Sequence, residues 1–110
     1  MRKIMSVLLV GLMLSGVASS AIAFTFMAEP SCGEWVAEAN QFNMHGNKMW
    51  LAGYLSGLAS GTGKDALEGN DADSLFLWMD NYCKASPLDK VGSSANKLFR
   101  ELSKRKGIKL

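Results

Sequence analysis

The segment 74–84, Ser-Leu-Phe-Leu-Trp-Met-Asp-Asn-Tyr-Cys-Lys, carries both a helical period and one of the two cysteines of this chain. Its apolar side chains recur at helical spacing, whereas Asp80 and Asn81 mark the polar side. The apolar arc contains Leu75, Phe76, Trp78, Met79, Tyr82 and Cys83. Leu77 falls beside the polar residues and is predicted to be an exposed large apolar side chain. The pattern predicts an amphipathic helix over about 73–84.

The start of the chain has the features of a secretory signal peptide. Arg2 and Lys3 form a charged beginning, and the apolar stretch 4–18 is short and interrupted by serine and glycine. Ala21-Ile22-Ala23 then supplies a small-x-small cleavage pattern. We therefore expect export to the periplasm, cleavage after Ala23, and no stable membrane anchor in the product.

Export decides the chemistry of the two cysteines. Two thiols in an oxidising compartment normally form one disulfide, so Cys32 is predicted to pair with Cys83. Closing a loop of about fifty residues is worth about 4 kcal/mol in the chain-entropy model. A redox-active pair is the alternative, but the chain has no CxxC spacing and no evident activating group beside either thiol.

A first helix is predicted to begin after Ser31. Ser31 and Glu34 stand at the spacing of a capping box. The following apolar stripe contains Cys32, Trp35, Val36, Ala39 and Phe42. The segment 43–47, which contains Gly46, is predicted to be the turn that ends this helix.

A second helix is predicted over about 48–60, with two contrasting faces. Bulky residues cluster on one side: Trp50, Leu51, Tyr54, Leu55 and Leu58. The other side is nearly bare backbone and includes Gly53, Ser56 and Gly57. Each glycine costs about 1 kcal/mol of helix propensity relative to alanine, which something must offset. Close packing by another helix of the same chain is the favoured interpretation, and a shallow groove for a partner is the alternative.

A fourth helix is predicted to open at Ser86-Pro87, with Ser86 as its cap and Pro87 at its first position. Its inward stripe would contain Leu88, Val91, Ala95, Leu98, Phe99 and Leu102. Its outer side would carry Lys90, Lys97, Arg100 and Lys104. No segment alternates with a period of two, so the prediction is an all-α fold, a small four-helix orthogonal bundle with one disulfide.

The predicted organisation is a signal peptide at 1–23, a short linker at 24–30, a helical domain at 31–106 and a tail at 107–110. Cleavage removes two of the 12 basic residues, which leaves ten basic and ten acidic residues. From Lys97 onward, six basic residues face only Glu101. This segregation suits self-association as a homodimer, an oppositely charged partner or a membrane headgroup, or it is a solvated helix end.

The residues give little support for catalysis. His45 is the only histidine, and no partners for a triad or a histidine metal site are evident. The loop 61–65 departs from the phosphate-loop pattern, and the acidic loop 65–73 lacks the order of a calcium loop. We therefore expect no enzyme activity, no cofactor, no metal and no nucleic-acid partner.

Three motifs together resemble a class of small exported bacterial proteins. They are Cys32-x-x-Trp35, the segment 50–57 that reads WLAGYLSG, and the segment 78–83 that reads WMDNYC, followed by Pro87. The series resembles the HdeA-like and Tai-like groups. The resemblance implies a small helical, disulfide-bonded protein of the periplasm.

The two groups imply two classes of function. HdeA-type proteins are acid-stress chaperones, whose partners are unfolded client proteins. Tai-type proteins are immunity proteins that block cell-wall amidases delivered by type VI secretion, so each binds one protein partner. The favoured expectation is a non-enzymatic binding protein of the immunity type, and an acid-activated chaperone is the alternative.

Overall fold

The computed structural model describes residues 25–39, 41 and 44–110. The predicted signal peptide and Phe42 lie outside the described residues. The helices are α1 (Cys32–Ala37), α2 (Met44–Thr62), α3 (Ala72–Ala85) and α4 (Val91–Arg105). The described residues contain no strand; a single isolated bridge joins Ser31 and Lys90. The predicted all-α fold of four helices is confirmed.

Helix α1 begins as predicted and ends early. The Ser31 hydroxyl accepts a hydrogen bond from the Glu34 amide at 3.0 Å, and the Glu34 carboxylate accepts one from the Ser31 amide at 3.4 Å. Cys32 and Trp35 are buried, whereas Ala39 is exposed. The helix ends at Ala37, because a further turn would bury little additional apolar surface.

Helix α2 begins four residues earlier than predicted. The segment expected to be a turn is helical, so His45 and Gly46 lie inside α2. Met44 is 95 % buried, and its burial offsets the cost of about 1 kcal/mol that Gly46 imposes on a helix. The helix ends at Thr62, before Gly63, whose φ of 67° is the left-handed conformation common at helix ends.

The predicted start of the fourth helix is wrong. Ser86 is the C-terminal cap of α3, and α4 begins only at Val91. The Asp89 amide donates to the Ser86 carbonyl at 3.1 Å, which closes a β-turn with Pro87 at its second position. Proline restricts the residue before it, here Ser86, to extended conformations. That restriction is compatible with a β-turn as well as with the start of a helix. Leu88, predicted to face inward, is 97 % exposed.

The core lies around the disulfide between α1 and α3. Cys32 and Cys83 are bonded, with their Cα atoms 4.8 Å apart, as predicted. Helix α4 packs against both α2 and α3, and α1 packs against α3. The fully buried core side chains include Trp35, Leu51, Met79, Val91 and Ala95. The inward stripe of α4 is confirmed from Val91 to Leu102.

Residues 25–30, predicted to be a linker, pack along α2 and α4. The Trp50 indole donates to the Met27 carbonyl at 2.9 Å, and the Val91 amide donates to the Pro30 carbonyl at 3.0 Å. The Glu29 carboxylate accepts from the Gly92 amide at 2.8 Å. This carboxylate satisfies a donor of the first turn of α4, where helices favour negative charge. Among the described residues, no helix has the length and apolarity needed to cross a membrane.

Candidate interaction surface

The turn at residues 86–90, called the 86–90 turn below, holds the most exposed large apolar side chain of the described residues. Leu88 is 97 % exposed, compared with 80 % for Met27 and 58 % for Leu77. Single exposed apolar residues are common on protein surfaces and need no special explanation. What distinguishes Leu88 is the number of contacts that fix the backbone on either side of it.

The first set of contacts joins the turn to the chain around α1. The Cys32 amide donates to the Asp89 carbonyl at 2.8 Å, and Ser31 pairs with Lys90 in the antiparallel bridge. The disulfide leaves α3 at Cys83, three residues before the turn begins. Both ends of the turn are therefore tied to the same short stretch of chain.

The second set of contacts involves side chains of α3 and α4. The Tyr82 hydroxyl donates a short hydrogen bond to the Asp89 carboxylate, and the Lys97 ammonium donates to the Tyr82 oxygen at 2.7 Å. Lys97 also lies 3.7 Å from the Asp89 carboxylate. The hydrogen bond that Lys97 donates to Tyr82, together with the nearby charge of Asp89, raises the pKa of Lys97. The ammonium links the Tyr82 hydroxyl to the Asp89 carboxylate.

The Tyr82 ring is itself held in place. It stacks on the Trp78 ring with centroids 5.1 Å apart and planes inclined by 9°. The Trp78 indole donates to the Glu101 carboxylate of α4 at 3.0 Å. A turn fixed in this way presents Leu88 on a backbone that has little conformational entropy left to lose on binding, which is the main physical advantage of a preorganised binding loop.

The outer face of α2 is different in kind. Gly53, Ser56 and Gly57 are exposed, and the Ser56 hydroxyl donates back to the Ala52 carbonyl of its own helix at 2.7 Å. A Cβ atom built on either glycine would have no heavy atom within 4 Å outside its local helix. Internal packing of this face, the favoured interpretation of the sequence, is therefore wrong for the described residues. A partner groove stays a prediction.

A shallow hollow of about 420 Å³ adjoins this face at Gly53. Its walls include Met27 from the N-terminal segment and Met49, Trp50 and Tyr54 from α2. Trp50 and Tyr54 stack with centroids 5.1 Å apart, and burial raises the pKa of Tyr54, which donates to Asn96 at 2.7 Å. Trp50 and Tyr54 are therefore placed by contacts within the chain, and no ligand is needed to explain their positions.

The remaining candidate residues do not converge on one site. Leu77 is exposed, as predicted, and a contact role for it stays a prediction. His45 is exposed on α2. Among the described residues, no three His, Cys, Asp or Glu side chains cluster in a way that suits a metal ion.

Comparisons with models of known families, with curated proteins and with solved structures find no match for this chain.

Leu88 is the surface residue that sequence reasoning missed. The segment Ser86-Pro87-Leu88-Asp89 satisfies two patterns, since proline suits the first position of a helix and also the second position of a β-turn. Asp89 favours the turn, because aspartate hydrogen-bonds readily within turns. That signal was present in the sequence and was outweighed by the apolar spacing of Leu88 with α4.

Proposed function

We propose that this protein is a small exported, non-enzymatic binding protein of the periplasm that neutralises one protein partner, as Tai-type immunity proteins do. The observation that supports the proposal best is the 86–90 turn, which presents Leu88 to solvent on a braced backbone. A few well-placed side chains carry most of the energy of a protein interface. A leucine held rigidly outward is suited to insert into the cleft of an enzyme.

The test is inhibition of the cell-wall amidases encoded in the same genome, each purified and assayed separately. An equimolar amount of the protein should abolish hydrolysis of purified peptidoglycan. Leu88→Asp should raise the concentration needed for half inhibition by about thirtyfold, which corresponds to the loss of one strong interface residue. Leu77→Asp is the matched control, because it places the same charge on another exposed leucine.

Full inhibition by Leu88→Asp would contradict the role of the turn. Equal losses in both variants would also contradict it, because the turn would then contribute no more to binding than Leu77 does. Circular dichroism of each variant should first show the helical content of the parent protein.

A second function, an acid-activated chaperone of unfolded clients, is supported by a separate observation. In five hydrogen bonds that join different segments of the fold, the acceptor is a carboxylate. They are Trp35–Asp80, Asn47–Glu38, Trp78–Glu101, Gly92–Glu29 and Tyr82–Asp89. Hydrogen bonds to ionised groups are roughly twice as strong as neutral ones, so acid weakens all five junctions at once.

Acid would also charge the chain strongly. If every carboxylate and His45 were protonated, no negative side chain would remain. The chain after cleavage would then carry a formal charge of about +11, from its ten basic residues and His45. Repulsion of that size would open the junctions further and expose apolar surface.

An aggregation assay separates the two functions. At about pH 2–3, a chaperone should suppress aggregation of unrelated client proteins at equal or smaller molar ratios. A dedicated binding protein should give no protection there and should inhibit its amidase near neutral pH. Protection without amidase inhibition would replace the first proposal with the second.

A further inference from the structure

Helix α4 carries a row of cations along its outer surface. Lys90 caps the helix, and Lys97, Arg100 and Lys104 follow at spacings of seven, three and four residues. At about 100° per residue these four positions fall within an arc of about 80°, over about 21 Å of helix. All four are exposed. The row is therefore a straight, solvent-facing basic stripe, called the α4 row below.

Two acidic residues lie in the same part of the sequence as the row, and both are engaged in side-chain contacts. The Glu101 carboxylate accepts from Arg105 at 2.7 Å and from the Trp78 indole. The Asp89 carboxylate is shared by Tyr82 and Lys97. The other three cations of the row form no ion pair within 4 Å with any described residue.

Charge is divided between two halves of the described chain. Residues 84–110 contain eight basic and two acidic residues, whereas residues 25–83 contain eight acidic and two basic residues. The net formal charge is therefore +6 for residues 84–110 and −6 for residues 25–83. The described chain therefore has little net charge, but most of its cations are concentrated in the segment that contains α4.

We propose that the α4 row docks the protein reversibly on the anionic phospholipid headgroups of a bilayer. Within its arc the only side chain that is not a cation is that of Ser93, so the arc itself contains no aromatic or apolar side chain, although the exposed Leu88 lies two residues before Lys90. Protein interfaces depend on such anchors, whereas a headgroup layer needs only cations at its surface. Each cation near an anionic bilayer strengthens binding by about fivefold.

The test uses protein purified after export, with its length determined by intact mass. Co-sedimentation is measured with vesicles of phosphatidylcholine containing about one third phosphatidylglycerol, and with phosphatidylcholine alone, at low salt. Binding is expected only to the anionic vesicles, and about 500 mM salt should abolish it. Equal binding to both vesicles would overturn the proposal, because it would arise from apolar residues and not from the row.

A pair of variants with equal net charge tests the position of the binding surface. Arg100→Gln with Lys104→Gln should weaken binding about 25-fold, whereas Lys48→Gln with Lys64→Gln should weaken it less than about threefold. Equal losses would overturn the proposal, because net charge alone would then account for them. Absence of binding to the anionic vesicles would overturn it as well, and binding to polyglutamate in that case would assign the row to an acidic protein.

Discussion

The 86–90 turn and the outer face of α2 both present exposed residues, yet they are built in opposite ways. In the turn, a bulky leucine is held outward by contacts from three segments of the chain. On α2, Gly53 and Gly57 weaken a regular helix and meet nothing within 4 Å. The fixed backbone of the turn sets the direction in which Leu88 meets a partner. The outer face of α2 has almost no side chains, so a partner could approach its backbone closely.

The difference shows how exposed apolar surface should be interpreted. An exposed leucine alone is unremarkable, but the backbone that flanks Leu88 is fixed by hydrogen bonds and has already lost part of its conformational entropy. An exposed glycine face has gained no contact in return for its cost in helix propensity. The turn is thus the stronger candidate for a binding surface in the isolated protein.

The largest expected effect comes from removing the disulfide that anchors the turn. Cys32→Ser with Cys83→Ser should lower the free energy of unfolding by about 2–5 kcal/mol, because the unfolded chain regains a long open loop. Urea denaturation followed by circular dichroism measures the change. An unchanged midpoint and slope would show that the disulfide contributes nothing to stability.

A smaller effect is expected from breaking the side-chain brace. Tyr82→Phe leaves the Asp89 carboxylate without its tyrosine donor and should cost about 1–3 kcal/mol. Hydrogen exchange at the Asp89 and Val91 amides should accelerate, since Asp89 lies in the braced turn and Val91 directly follows it.

Tyr54→Phe is the control for that experiment. It removes the hydrogen bond to Asn96, on the side of α4 that faces α2. The free energy of unfolding of this variant should fall. Hydrogen exchange at the Asp89 amide should accelerate only as much as that loss of overall stability requires. Selective acceleration at the turn in the control would contradict the local role of Tyr82.

The glycines of α2 should respond in the opposite direction. Gly53→Ala and Gly57→Ala should each raise the free energy of unfolding by about 1 kcal/mol, because alanine favours the helix and its methyl group meets nothing. Gly63→Ala should lower it, because Gly63 has a φ of 67°. Thermal melts compare the three variants. Destabilisation by Gly53→Ala would show that this face is packed after all.

The smallest effect is expected from the exposed leucines. Leu88→Ser and Leu77→Ser should each change the free energy of unfolding by less than about 0.5 kcal/mol, because neither side chain packs in the core. Chemical denaturation of both variants measures this. A loss above about 1 kcal/mol would mean that Leu88 supports the turn instead of being presented by it.

The sequence correctly predicted those parts of the fold that depend on the spacing of nearby residues. The apolar arc of α3, the capping box at Ser31 and the inward stripe of α4 after Val91 follow from spacing alone, and the structure confirms them. The disulfide followed from the cysteine count and the predicted export. These signals are short-range, so no knowledge of the packed chain is needed to interpret them.

The errors lie where long-range contacts decide. Gly46 suggests a turn locally, but burial of Met44 makes the segment helical. Pro87 is compatible with a turn or a helix start, and the pairing of Ser31 with Lys90 selects the turn. Because that pairing spans almost sixty residues of sequence, the local pattern offered only Asp89 in favour of the turn, and the exposure of Leu88 follows from the packed chain.

The hydrogen bonds of the tryptophans give the molecule three built-in optical reporters. Trp35 joins α1 to α3, Trp50 joins α2 to the N-terminal segment, and Trp78 joins α3 to α4. The chain has no other tryptophan, so replacing two at a time leaves the emission of a single junction. A titration with acid or with a partner can then be followed separately at each junction, without attaching a dye.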